Sequence, residues 1–129
     1  MWRVMVIDDE VRQCKGLKNI LLREFQGDME VWDFTMAAEA LAFVHSNEVD
    51  IIITDICMPE MDGLQFMEEA AKENPGIKVI LLTGYAEFEY ARKALTLGAL
   101  DYLLKPLNPD RMRAVLEKAF QEISEERLL

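Results

Sequence analysis

Five side chains in this sequence could share one piece of chemistry if the fold gathered them: Asp8, Asp9, Asp55, Thr83 and Lys105. Each stands at the end of a short strand-like run. Asp55 closes the β-branched run Ile51–Thr54 within IIITDICMPEMDG, and the backbone then breaks at Met58-Pro59 and turns at Asp62-Gly63. Two like charges about 4 Å apart repel by about 4 kcal/mol at an effective dielectric near 20. Three gathered carboxylates therefore call for a cation. Hard oxygen ligands with room left for water and phosphate suit Mg²⁺.

Taken singly, each residue has an ordinary structural use. Asp55 could simply cap a helix or end the strand pairing. Asp8-Asp9-Glu10 could be helix N-terminal chemistry, since acids there favour the macrodipole. Thr83 could be a β-branched strand end, Lys105 before Pro106 a solvated lysine, and Tyr102 a partly buried aromatic. Their joint occurrence at ends that converge in space is what marks a site.

The elements that must position them are legible as alternating patterns. Strand-like runs occur at Val4–Ile7, Glu30–Phe34, Ile51–Thr54, Val79–Leu82 and Asp101–Leu104. Cys14, Leu17, Leu21 and Phe25 recur at helical spacing. Ala38, Leu41 and Ala42 follow Thr35, an expected N-cap. Asp62 with Gln65 forms an Asx-type capping box, and Pro75-Gly76 stops that helix. A fourth helix runs to Leu97, with Gly98 as its left-handed end. The last starts at Asn108-Pro109 and puts Met112, Val115, Leu116, Ala119, Phe120 and Ile123 on one stripe. Strands alternating with helices imply a parallel sheet covered on both faces, with right-handed crossovers. The runs at 51–54 and 79–82 are expected at its centre. In such open sheets, sites form beyond the carboxyl ends of the strands.

Composition narrows the function classes. The chain has 129 residues and 51% apolar content, enough for one packed domain. No stretch approaches the ~18 uninterrupted apolar residues of a membrane span. The opening MWRVMVIDDE carries acids where a secretory cleavage site would lie. Cys14 and Cys57 suggest neither a disulfide framework nor a zinc site, so a cytoplasmic location is expected. A net charge of −10 argues against direct nucleic-acid binding. The single histidine, His45, is expected at the surface or a helix end, and a histidine metal cage or a His–Ser triad is excluded by inventory.

The pieces VIDDE, ITDICMPEMDGL, LLTGYAE and DYLLKP, in that order and spacing, resemble the receiver domain of two-component response regulators. The resemblance covers nearly the whole chain. It implies a flavodoxin-like (CheY-like) three-layer α/β sandwich with a five-stranded parallel sheet and five helices. The run GYAEFEYARKALTLGALDYLLKPL further resembles receivers joined to an AraC-type helix-turn-helix output domain. SEERLL ends like a helix entering a linker, so residues 1–129 are expected to be a single receiver domain, the N-terminal part of a longer regulator of transcription.

The resemblance assigns roles by position. Asp55 is similar to the phosphoacceptor, which takes a phosphoryl group from a phosphohistidine on a sensor histidine kinase. Asp9, supported by Asp8, would hold Mg²⁺ with Asp55 and the backbone carbonyl of Cys57. Lys105 would neutralise a phosphoryl oxygen, and Thr83 would hydrogen-bond another, with Gly84 leaving space beside it. Tyr102 matches the aromatic whose packing follows the threonine. Cys57 and Tyr85 lie where water's access to the acyl phosphate is set. Phosphoryl transfer asks mainly for positioning and charge neutralisation, so the domain would catalyse only its own phosphorylation and dephosphorylation. The Lys105–Pro106 bond is expected to be cis. Ala91, Ala94 and Leu95, with Arg92, Lys93 and Arg111, would form the face of a phosphorylation-dependent homodimer. A dehalogenase-type phosphatase would need an acid where Cys57 stands, and a flavin carrier would need a glycine-rich loop where DDE stands. The alternative left is a receiver-like interaction module independent of phosphorylation.

Overall fold

The computed structural model describes residues 1–84 and 87–129. Ten elements alternate along the chain. They are β1 (Trp2–Ile7), α1 (Val11–Glu24), β2 (Met29–Phe34), α2 (Ala37–Ser46), β3 (Ile51–Asp55), α3 (Gly63–Glu73), β4 (Lys78–Thr83), α4 (Phe88–Thr96), β5 (Asp101–Leu104) and α5 (Pro109–Leu128). The strands form one parallel sheet in the order β2-β1-β3-β4-β5. β3 lies at its centre, with β1 and β4 flanking it.

Side-chain alternation divides the core into two layers. Val4, Val6, Ile51, Ile53, Ile80 and Leu82 face α1 and α5, meeting Cys14, Leu17, Leu21, Met112, Val115 and Leu116. Met5, Ile7, Ile52, Val79 and Leu81 face α2, α3 and α4. Both faces of the central strands are therefore dry, which explains why they read as continuous apolar runs. Burying one such side chain contributes about 1.5–3 kcal/mol.

Local signals placed three helix ends. Asp62 accepts the Gln65 N–H while the Gln65 side chain accepts the Asp62 N–H, a complete capping box. Asn108 accepts from the N–H groups of Asp110 and Arg111, with Pro109 at the first helical position. Gly98 has φ +115°, the left-handed region that favours glycine. Lys105–Pro106 is cis. His45 is exposed in the last turn of α2, 2.8 Å from Glu73.

Two expectations need correction. Met36, not Thr35, is the N-cap of α2, with no side-chain cap. The helix buries Ala37, Ala40 and Val44 rather than Ala38 and Ala42, which are exposed; Leu41 is half-buried. This short helix has apolar residues around most of its circumference, so its packing on the sheet chose the face. Ala91 and Ala94 are 0% exposed, inside the core beneath α4. They cannot contribute to an exposed dimer face, because their spacing along the helix points them at the sheet. Arg92, Lys93 and Arg111 are exposed, and Leu95 is half-buried.

The far end of the sheet is fastened as well. Asp50, just before β3, accepts the Arg3 N–H and pairs with Arg127 at 2.6 Å, tying the last turn of α5 to the strand that carries Asp55.

Candidate active site

The parallel sheet delivers the chemistry-bearing residues to its carboxyl edge. β1 ends at Ile7, so Asp8 and Asp9 emerge where α1 begins. β3 ends in Asp55 itself, and β5 ends one residue before Lys105. Carboxylate oxygens of Asp8, Asp9 and Asp55 lie within 4.8 Å of one another. The Lys105 ammonium reaches between them, 3.3 Å from Asp55 Oδ2 and 3.8 Å from Asp8 Oδ2. Residues from positions 8 to 105 thus share one small volume.

The two adjacent aspartates are not equivalent. Asp8 is 1% exposed, whereas Asp9 is exposed. The Glu10 N–H donates to Asp8 Oδ1 at 2.9 Å just ahead of α1, whose first turn carries no acid. Burial pushes the Asp8 carboxyl above its ordinary range. The Glu10 hydrogen bond opposes that rise, the Asp55 charge adds to it, and Lys105 opposes it. A buried acid held up by its neighbours, with all-oxygen donors around it, fits a small hard cation.

Neighbouring residues hold Asp55 in place. The Thr54 hydroxyl donates to the Asp55 carbonyl at 3.0 Å. Gly63 N–H donates to the Ile56 carbonyl at 2.7 Å. A Cβ on Gly63 would stand 3.0 Å from the Asp55 carbonyl oxygen and 3.1 Å from Ile56 Cα. Close backbone approach therefore favours glycine here. Thr54 and Gly63 escaped the sequence reading as site supports, although the Asp62-Gly63 turn was the available signal.

On the β4 side, Thr83 is 1% exposed and its hydroxyl donates to the Gly84 carbonyl at 3.0 Å. The Lys105 N–H donates to the Thr83 carbonyl at 2.8 Å, which ties the two backbones together. The space beside Gly84 is taken by Glu87, whose Oε2 accepts the Gly84 N–H at 3.1 Å. Sequence reasoning missed Glu87, and its spacing of three from Gly84 was the signal. Tyr102 is half-buried on β5 and meets the Phe88 ring edge-on at 5.8 Å. Cys57 is exposed beyond Asp55. Partial burial raises its thiol, and Glu87 and Asp55 raise it further, which leaves it a poor nucleophile. Tyr85 lies outside the described residues. A groove of about 280 Å³ opens beside Asp8 and Lys105, walled by Leu17 and Ile20 of α1 and by Leu107.

A doubly wound sheet that sets a lysine among strand-end carboxylates is the architecture of the CheY-like receivers, the switch modules of two-component signalling. The chain belongs to the response regulator receiver domain family, whose model matches residues 4–117. It is 35% identical over 127 residues to the transcriptional regulatory protein ZraR of Salmonella typhimurium, a match covering 95% of this chain and 27% of that protein. The chain thus spans about a quarter of the length of that curated relative. Among solved structures, the REC domain of AraT, a response regulator from Geobacillus stearothermophilus, is 38% identical, with a TM-score of 0.86 and 98% of each chain covered. A response regulator receiver domain protein from Clostridium thermocellum is 32% identical with a TM-score of 0.85, covering 99% of this chain and 98% of its own. Among the described residues, no helix is long and apolar enough to cross a membrane.

Proposed function

We propose that Asp55 is the phosphoacceptor of this receiver, taking a phosphoryl group from a phosphohistidine of a sensor histidine kinase. The observation that carries the reading is the Lys105 ammonium 3.3 Å from Asp55 Oδ2 and 3.8 Å from Asp8 Oδ2. An Asp55 oxygen forms the new bond to phosphorus as the donor's P–N bond breaks, and the leaving imidazole keeps the electron pair. The carboxylate is already an anion, so the chain needs no general base. Lys105 holds positive charge where negative charge accumulates, and the Thr83 hydroxyl is available to a phosphoryl oxygen once it leaves the Gly84 carbonyl. Asp8, Asp9, Asp55 and the Cys57 carbonyl would hold Mg²⁺. When bound, that ion supplies charge neutralisation for the acids and the phosphoryl oxygens.

The chain acts on no separate substrate and catalyses only its own phosphorylation and dephosphorylation in the cytoplasm. As one domain of a longer protein, it would pass its state to a transcriptional output domain. The motif run through α4 and β5 supports an AraC-type helix-turn-helix partner. The face of α4, β5 and α5 would mediate phosphorylation-dependent homodimerisation through Leu95, Arg92, Lys93 and Arg111. Strong negative charge makes this domain itself a poor ligand for nucleic acid.

Intact mass after incubation with Mg²⁺ and a small phosphodonor tests the reading. One phosphoryl group should be gained, and Asp55→Asn should abolish the gain. Labelling that survives this substitution puts the acceptor elsewhere. A wild-type chain that gains no mass favours the phosphorylation-independent interaction module.

A further inference from the structure

We propose that Glu87 is a built-in placeholder for the phosphoryl group. In the unphosphorylated domain its carboxylate occupies the amide beside Thr83, and it must leave when a phosphoryl oxygen arrives. The proposal deepens the assignment of Asp55 as phosphoacceptor and rests on it.

The Gly84 N–H donates to Glu87 Oε2 at 3.1 Å. The Glu87 N–H donates back to the Gly84 carbonyl at 3.2 Å, so two hydrogen bonds join the pair. Oε2 would stand only 3.0 Å from a Cβ at position 84, so it lies against the face that glycine leaves bare. The other oxygen, Oε1, is 3.8 Å from Cys57 Sγ in the loop that follows Asp55. One carboxylate thus bridges the loops after β3 and β4, from the Asp55 side of the site to the Thr83 side.

Charge gives this bridge a consequence. Asp8, Asp9 and Asp55 already face Lys105 alone among the described residues of the site, and Glu87 brings a fourth carboxylate against Cys57, two residues beyond Asp55. A phosphoryl group brings further negative charge and acceptor oxygens. A single N–H cannot serve both anions at close range, and like charges a few ångströms apart repel. Glu87 therefore opposes phosphorylation of Asp55 and swings out when it occurs.

The ordinary reading is that Glu87, the residue that precedes α4, merely supplies an acceptor for the Gly84 N–H. Both readings keep the same hydrogen bond and differ in the role of the charge. E87Q retains an acceptor for the Gly84 N–H and removes the charge. E87A removes both.

The test uses the whole chain with Mg²⁺ and acetyl phosphate, following intact mass over time in wild type, E87Q, E87A and D55N. In this reaction an Asp55 oxygen bonds to phosphorus, the donor's P–O bond breaks, and acetate leaves with the electron pair. E87Q should label about tenfold faster than wild type, equivalent to about 1.4 kcal/mol. E87A should also label faster, and of the two it alone should have a lowered melting temperature. If E87Q labels at the wild-type rate or more slowly, Glu87 is a structural acceptor for the Gly84 N–H and nothing more. A mass gain that survives in D55N, or none in wild type, overturns the Asp55 assignment instead, and the placeholder with it.

Discussion

Replacing Asp8 with asparagine should stabilise the metal-free domain at neutral pH. Asn can keep the hydrogen bond that Asp8 Oδ1 accepts from the Glu10 N–H at 2.9 Å. What changes is charge. Asp8 Oδ2 lies 3.8 Å from the Lys105 ammonium, an attraction of about 4 kcal/mol at an effective dielectric near 20. Oxygens of Asp9 and Asp55 lie within 4.8 Å, and each repels Asp8 by about 3.5 kcal/mol at the same dielectric. The repulsions exceed the attraction by about 2–3 kcal/mol, before solvent screening at the exposed Asp9 and half-exposed Lys105 reduces both. Burial of Asp8 adds to the cost of its charge. We expect Asp8→Asn to gain about 1–2 kcal/mol in urea unfolding at pH 7 with chelator present.

The pH dependence has a fixed sign. The folded-state pKa of Asp8 is raised, so the native state binds this proton more tightly than the unfolded chain. Stability linked to Asp8 is full below the unfolded value, about 4, and is lost as pH rises through the folded value. The advantage of Asp8→Asn should therefore shrink as pH falls towards about 4. It should shrink again when Mg²⁺ is added at pH 7, because the cation stabilises the wild type more. An asparagine variant less stable than wild type in chelator at pH 7 would refute the electrostatic account.

Gly63→Ala should cost about 1–3 kcal/mol and slow phosphorylation, because its Cβ would press on backbone atoms at 3.0 and 3.1 Å; a melting temperature equal to wild type would show slack in the loop. Burial, helped by Asp33, lifts the Cys14 thiol to about 11, so alkylation of the native chain at neutral pH should fall on exposed Cys57. Equal labelling of the two by peptide mass would contradict that placement. Thr83→Ala should keep most phosphorylation yet weaken the monomer-to-dimer shift induced by beryllofluoride in sedimentation. The same association state with and without the mimic would leave the output domain to read the switch.

Features encoded within a few neighbouring residues were legible in the sequence. The apolar runs that became β3 and β4, the Asp62–Gln65 capping box, the Asn108-Pro109 start of α5 and the Gly98 stop depend on local periodicity and backbone preference. The ends of those runs also marked Asp8, Asp9, Asp55, Thr83 and Lys105, because a parallel sheet must deliver its carboxyl ends to one edge. The tertiary structure alone decided which acid is buried, since Asp8 and Asp9 are adjacent and chemically identical until α1 covers one of them. It decided the face of α2, a weakly patterned helix that takes its orientation from the sheet it packs on. It also set Arg127 on Asp50, 77 residues apart. Such contacts join side chains through space after the chain has closed its loops, and nothing in the spacing of the residues along the sequence carries that distance.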